Sequence, residues 1–347
     1  MSHTEAIAVG DLHLEKLFKW FDPELALAYT FSALEAAYKY AVENSVQFVI
    51  LLGDIFDTAT PEQRTVDRFN QFLATHNKVT WLIIRGNHDI HDTHTSSLII
   101  LKGIDRLNLM PHVRVFLSPE LLDLDGIKFL MMPYPYRKID KWLKPDEFAV
   151  VCPHLEFRGA QTDNGFISKD GAKLPKGCQI WVSGHLHTKQ VVGERLFYPG
   201  TMLQLNMVEK PEKFFLHMTI DGEKFTPKFV PYKTPFQLFN LVIATEADLE
   251  RVDARNPKHR YRLVVKNGVK VPLKVRNSPY VVMHGYQNRE EKKSVIKGML
   301  HLSKQEHKQF DVTYGLKTFL KSKGHDASDV KEAVSFARSL AKSIGVR

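Results

Sequence analysis

The chain has 347 residues, of which 44% are hydrophobic and 25% charged; that excludes a mostly disordered polymer and leaves room for one large domain with one or two small companions. No apolar run reaches membrane-spanning length and no basic-then-apolar leader opens the chain, so no membrane partner and a cytoplasmic location are expected. A formal net charge of +9 admits polyanionic partners, and the two cysteines, Cys152 and Cys178, make no disulfide framework.

Short β-branched or aromatic runs at residues 6–9, 46–52, 79–84, 129–132, 149–152 and 179–182 read as buried strands. Between the first two, residues 23–44 place alanine, leucine and aromatics at helical spacing. Residues 61–76 predict a second helix, with Pro61 suited to its first turn. This strand–helix–strand rhythm predicts an α/β layered core. Near 231–236 the character changes: residues 239–244, 261–266 and 280–283 read as strands of a small α+β unit, with a helix over 246–254. From residue 290 the chain reads as helical. Val330, Val334, Ala337, Leu340, Ala341 and Ile344 line one helical face, with Asp326 as N-cap after the breaker Gly324. The expected units are 1–231, 232–289 and 290–347.

Polar motifs follow the predicted strands: Gly10-Asp11-Leu12-His13, Gly53-Asp54-Ile55-Phe56-Asp57, Gly86-Asn87-His88-Asp89, then His154, then Gly184-His185-Leu186-His187. Strand ends are where open α/β sheets build sites. Residues two apart on extended backbone point the same way, so Asp11 and His13 can approach one cation together. The donor set is nitrogen and oxygen without thiolate, which suits Mn, Fe, Zn or Co. A lone Asp-x-His or His-x-His reads as a solvated turn, and Gly86-Asn87-His88-Asp89 after a buried strand is more specific; the order of all five and their common position at strand ends carry the argument.

In that order the motifs resemble those of the calcineurin-like metallophosphoesterase superfamily, over roughly residues 4–205. The resemblance implies an α/β (α+β) fold, a four-layer β-sandwich flanked by helices. It implies that Asp11, His13, Asp54 and His187 hold one divalent cation, and that Asp54, Asn87, His154 and His185 hold the second, with Asp54 bridging. It implies further that His88 lies beside the scissile phosphate as proton donor, with Asp57 orienting it. Two cations about 3.5–4 Å apart can clamp the attacking and leaving oxygens of an in-line displacement and activate water near neutral pH.

Within that superfamily the chain is similar to SbcD-type nuclease subunits. The similarity lies in Tyr198-Pro199-Gly200-Thr201 with the later Glu209, in His154-Leu155-Glu156-Phe157-Arg158-Gly159, and in the order of catalytic domain, small cap and helical end. It implies a DNA exonuclease/endonuclease of double-strand-break processing or recombination. It also implies Mn2+ (or Mg2+) as cofactor, an SMC-like, SbcC-type ATPase partner, and a homodimer within a heterotetramer. The short chain suggests a bacteriophage version in an infected bacterial cell. Arg251, Arg255, Lys258, Arg260 and Arg262 are the expected DNA-binding stripe of the cap. Val330, Val334, Ala337, Leu340 and Ile344 are the expected docking face for the ATPase. The alternative is a small-molecule phosphodiesterase or phosphoprotein phosphatase of the same superfamily, active without a partner.

Overall fold

The computed structural model describes residues 2–91, 95–136, 138, 141–266 and 268–285. Strands β1 (His3–Val9), β2 (Phe48–Leu51), β3 (Thr80–Ile84) and β4 (Val113–Phe116) lie parallel in that order. Their crossovers carry helices α1 (Pro23–Glu43), α2 (Gln63–Thr75) and α3 (Ile99–Arg106). Asp22 starts α1 by accepting the Glu24 N–H at 3.0 Å, and Pro23 occupies the first turn, where a missing N–H costs nothing. Helix α2 begins at Gln63, two residues later than the sequence suggests; Pro61 stays outside it, and no side chain caps its start.

A second sheet follows: β5 (Glu120–Leu124), β6 (Ile127–Met132), β7 (Val150–Pro153), β8 (Ile180–Val182), β9 (Gln190–Val192) and β10 (Leu196–Tyr198), in the order β5-β6-β7-β8-β10-β9. The chain then returns to the first sheet through the hairpin β11 (Lys213–Asp221) and β12 (Lys224–Tyr232), with β11 antiparallel to β1.

Strand alternation divides the apolar residues between two cores. Ala6, Ala8, Ile50, Leu52, Leu82 and Ile84 of the first sheet pack in one buried cluster with Phe129, Met131, Val150, Cys152, Ile180 and Val182 of the second. The intervening residues Ile7, Val9, Val49, Leu51, Trp81 and Ile83 cluster with Leu27, Phe31 and Leu34 of α1 and with Phe69, Phe72 and Leu73 of α2. The chain is therefore a mixed α/β sandwich. Among the described residues its helices flank one face only. Leu143, Leu155, Phe157 and Ala160, from loops, cluster with Leu130, Met132, Val151, Trp181 and Leu196 of the second sheet. The sequence accounts for this: prolines 133, 135, 145 and 175 and glycines 159, 165, 171 and 177 break the crossovers that helices would otherwise fill.

A small third sheet comprises β13 (Gln237–Ile243), β14 (His259–Val265) and β15 (Val281–Gly285), with β13 and β14 parallel. The expected helix here is a 3-10 turn, Glu246–Arg251. This sheet has its own small core around Leu241, Ile243, Tyr261 and Leu263. It is also rooted in the sandwich. Phe236 sits 4.9 Å from Phe21 and 5.0 Å from Tyr29 by ring centroids, and Leu238 joins the core under the helices. Residues through His284 accordingly form one compact unit. The apolar stripe Val330, Val334, Ala337, Leu340 and Ile344 lies outside the described residues.

The inter-sheet layer gives a direct test. Phe129 is fully buried there, and Phe129→Ala removes a large apolar side chain from a packed interior. Urea unfolding is expected to show a loss of about 3–5 kcal/mol; a loss below about 1 kcal/mol would contradict the packing described.

Candidate metal centre

Parallel strands deliver the polar motifs to one place. Asp11 follows β1, Asp54 follows β2, Asn87 follows β3, His154 follows β7 and His185 follows β8. The loops of the two sheets interlock: Asp11 accepts the His185 N–H at 2.9 Å, and the Leu12 and His13 N–H groups donate to the Asp54 carbonyl at 3.1 and 2.9 Å. Three of the delivered residues have left-handed backbone, His13 at φ 44°, Asp54 at φ 46° and His185 at φ 85°. Such conformations cost about 1–3 kcal/mol each and persist where surrounding bonds over-determine them. The approach is too close for larger residues. A Cβ on Gly86 would lie 2.2 Å from the Asp54 carboxylate, and one on Gly184 would lie 2.2 Å from the Leu52 carbonyl.

The donors fall into two groups that share Asp54. On one side His13 Nε2 lies 3.5 Å from Asp54 Oδ2 and 3.9 Å from Asp11 Oδ2, and His187 Nε2 lies 3.7 Å from Asp11 Oδ2. On the other, His154 Nε2 lies 3.3 Å from the same Asp54 Oδ2. Asn87 Oδ1 stands 3.0 Å from His154 Nε2 and 2.9 Å from His185 Nδ1. Asp11, His13 and His187, and likewise Asp54, His154 and His185, bring ligand-type atoms close enough for one cation.

The opposite ring nitrogens are already engaged, which fixes where the inward nitrogens point. His154 Nδ1 donates to the Leu52 carbonyl at 2.7 Å, His13 Nδ1 meets Asp57 Oδ1 at 3.0 Å, and His187 Nδ1 meets Glu209 Oε1 at 2.9 Å. His13 Nε2 is buried with no hydrogen-bond partner. An orphaned buried nitrogen is costly, and a cation held with Asp11 and Asp54 would satisfy it. The residues present therefore fit a pair of divalent cations, with Asp54 facing both.

Charge points the same way. Asp11 and Asp54 are each 2% exposed. Burial resists the Asp54 charge, but His154 and His13 prevail and hold its carboxyl well below the usual range. Burial likewise resists protonation of His154 and His187. Asp54 and Asp11 still push His154 up to about 10, and Glu209 and Asp11 push His187 up to about 9. His185 moves down, through burial and the nearby His154.

Residues outside the expected set complete the centre. Glu209 is a buried hub: besides His187 it accepts from Lys213 Nζ at 2.7 Å and from the Leu205 N–H at 3.1 Å. Burial opposes its charge, yet His187 and Lys213 draw it down to about 2. Asp163 accepts the His187 N–H at 2.9 Å. Asp89, fully buried, accepts the N–H groups of Gly86, Phe56 and Ile55 at 2.9, 3.1 and 3.3 Å and so clasps the second and third loops together. Burial and the neighbouring Asp54 raise it to about 6. Its place as the last residue of Gly86-Asn87-His88-Asp89 was the available signal; for Asp163 the sequence offered none.

Two expectations need correction. The Asp57 carboxylate does not hold His88; it pairs with His13 and, at 2.6 Å, with Lys16 Nζ. The reason is local. The Asp57 N–H bonds to the Leu14 carbonyl at 2.9 Å, which runs this segment beside residues 12–14, and the Asp57 backbone carbonyl takes His88 Nδ1 at 2.9 Å. Within the expected DNA-binding stripe, Arg251, Arg255 and Lys258 are exposed. Arg260 is not available there: it donates to the Trp20 carbonyl at 2.6 Å and lies over Phe21, 4.1 Å from the ring centre, anchoring the third sheet. Arg262 is half-buried, with its Nε enclosed. Alternation along β14 puts Arg260 and Arg262 on one face.

Comparison with known proteins adds a family and relatives. The model of the calcineurin-like phosphoesterases matches residues 6–189. Protein 078R of Invertebrate iridescent virus 3, which is named as a phosphoesterase, is 24% identical over 239 residues, covering 65% of this chain and 68% of that protein. Protein 244L of Invertebrate iridescent virus 6, similarly named, is 22% identical over 216 residues, covering 59% of this chain and 72% of that one.

Metal ligation needs neutral imidazoles. With His154 raised to about 10 and His187 to about 9 in the metal-free centre, loading at pH 7 is expected to release about two protons, and fewer as pH rises through that range. Titration calorimetry in buffers of different ionisation enthalpy checks this, and a buffer-independent enthalpy would contradict it. Glu209→Gln keeps the shape but weakens the hold on His187. It should lower metal affinity by about 10–100-fold, measured by competition with a chelating dye.

Proposed function

We propose, from the premise that the chain belongs to the calcineurin-like phosphoesterase family, that it is a metal-dependent DNA nuclease hydrolysing phosphodiester bonds during break processing or recombination. The observation that carries the hydrolytic part is the single carboxylate oxygen, Asp54 Oδ2, lying 3.5 Å from His13 and 3.3 Å from His154, one in each donor group. Bound there, two divalent cations supply Lewis-acid stabilisation of the phosphoryl oxygens and an activated water. Mn2+ is the proposed metal, with Mg2+ as the alternative.

The chain's own residues do the rest. Asp54 holds the His88 loop in place by accepting the His88 N–H at 2.8 Å. A carbonyl can only accept, so His88 Nδ1 carries a proton toward Asp57, and Nε2 is the nitrogen that exchanges a proton with substrate. The His88 ring stands edge-on to His13 with centroids 4.7 Å apart, which sets it at the rim of the centre. It is the general acid that protonates the leaving 3′ oxygen. Lys16, tied to the Asp57 carboxylate at 2.6 Å, is a nearby cation that can meet a phosphate.

DNA as substrate is supported by the net charge of +9, by exposed Arg251, Arg255 and Lys258 on the third sheet's connecting loop, and by the SbcD-like segments. Both relatives named above are viral, which favours a viral setting. A homodimer is supported by Ile99, Ile100, Leu107 and Leu109, exposed together on and after α3. An SMC-like ATPase that docks on the segment after residue 290 and governs access of duplex DNA completes the proposal.

The test is end-labelled duplex DNA beside bis-p-nitrophenyl phosphate, with Mn2+ or Mg2+. The wild type should shorten the DNA. His88→Ala should retain metal while turnover falls about 10²–10⁴-fold. Undiminished cleavage by that variant would remove His88 from its role, and DNA left intact both alone and with the ATPase would remove the nuclease reading.

A further inference from the structure

Beside the candidate centre stands a small hairpin with an unusual tip. Residues 161–167 double back through the Gln161–Ile167 bridge. The Thr162 N–H donates to the Phe166 carbonyl at 2.8 Å, the Gly165 N–H donates to the Thr162 carbonyl at 2.8 Å, and Gly165 takes φ 84° to close the turn. Gln190 secures the base from β9, accepting the Gln161 N–H at 2.7 Å and donating to its carbonyl at 2.8 Å. So braced, the tip holds Phe166 75% exposed and Ile167 57% exposed. Two large apolar side chains thus stand largely in solvent at adjacent positions of one cross-bonded turn.

The hairpin's position gives them a context. Asp163, in the same turn, holds the backbone of His187 at 2.9 Å, so the tip rises directly from the metal centre. A cavity of about 310 Å3 lies alongside, lined by residues 161–165 of the hairpin, next in sequence to Phe166, and by Thr188, Val208 and Lys210. Lys210 is exposed and pairs with no carboxylate among the described residues. The Asp163 carboxylate, engaged with His187, is not a loose anion in this space.

We propose that the hairpin and this cavity form a nucleotide subsite next to the scissile bond: an unpaired base stacks on Phe166 while its sugar and phosphate lie in the cavity, with Lys210 against the phosphate. A flat exposed aromatic, polar donors and a cation within reach of a phosphodiester-cutting centre are the elements by which proteins hold single-stranded nucleic acid. A base within a duplex hides its face, so the subsite selects a single-stranded or frayed end. This inference rests on the nuclease reading and adds the form of DNA that reaches the centre.

The experiment uses the full chain with Mn2+, a single-stranded thymidine oligonucleotide and bis-p-nitrophenyl phosphate. Phe166→Ala should raise KM for the oligonucleotide about ten-fold and leave hydrolysis of the small diester unchanged, while Phe166→Trp restores the oligonucleotide KM. If the wild type cuts the oligonucleotide and Phe166→Ala matches it within two-fold, the subsite is wrong and the nuclease reading stands. Equal losses on both substrates would assign Phe166 to the integrity of the centre and overturn the subsite. A wild type that hydrolyses the diester but neither binds nor cuts the oligonucleotide overturns the subsite, and the nuclease reading is then decided by the duplex assay with the ATPase. Phe166 is mostly exposed, so the variants should unfold at the wild-type midpoint, which checks that they fold.

Discussion

Two carboxylates, Asp11 and Asp54, are buried at the ends of adjacent parallel strands, and among the described residues no lysine or arginine neutralises either one. Burying a charge without a partner is among the most expensive arrangements a protein can hold. Among the described residues the cationic candidates in contact are histidines, and they are neutral when free near pH 7. The environment drives His154 and His187 to keep protons they would otherwise lose. Divalent cations resolve the same imbalance with more charge in less space. The left-handed turns, the glycines against the Asp54 loop and the buried Asp89 clasp all serve to hold negative charge where water cannot screen it.

From this follows the division of labour between the sheets. The first contributes Asp11, Asp54 and Asn87, the second His154 and His185, and the inter-sheet core keeps the two sets in register. Neither set is complete alone. Supporting contacts come from farther away in the chain: Glu209 precedes β11, the returning hairpin strand that pairs with β1, and its partner Lys213 opens that strand. The segment after β10 thus ties β11 of the first sheet to His187. In the proposed roles, proton handling is separated from metal binding by one residue of sequence: Asn87 faces His154, while His88 is held by the Asp57 carbonyl.

Much of this was legible in the chain. Short apolar runs ending in Gly-Asp, Gly-Asn or Gly-His announce strand ends carrying polar residues, and the order of those ends announces the family. The helix starting at Pro23 was legible because Asp22 and Pro23 mark it; the next one was placed too early because Pro61 was read as its first turn. The β11–β12 hairpin was missed. Its second strand contains two prolines, Pro227 and Pro231, which argue against a strand, yet as an edge strand it tolerates them. Asp57 was assigned to His88 by analogy of position, and the backbone path decided otherwise. Arg260 was read as part of a DNA-binding stripe because it falls in a run of basic residues; its guanidinium instead lies on Phe21 and Tyr280 and bonds to the Trp20 carbonyl, a contact across some 240 residues that no local pattern reveals.

The central claim is that one side chain, Asp54, serves two cations at once. The most direct measurement is the metal content of purified protein reconstituted with Mn2+, by inductively coupled plasma mass spectrometry, for the wild type and for Asp54→Ala, with circular dichroism confirming the fold of each. The account predicts about two Mn2+ per wild-type chain and loss of both in the variant. Retention of two Mn2+ by folded Asp54→Ala would contradict it, and loss of a single ion would reduce Asp54 to an ordinary ligand of one site.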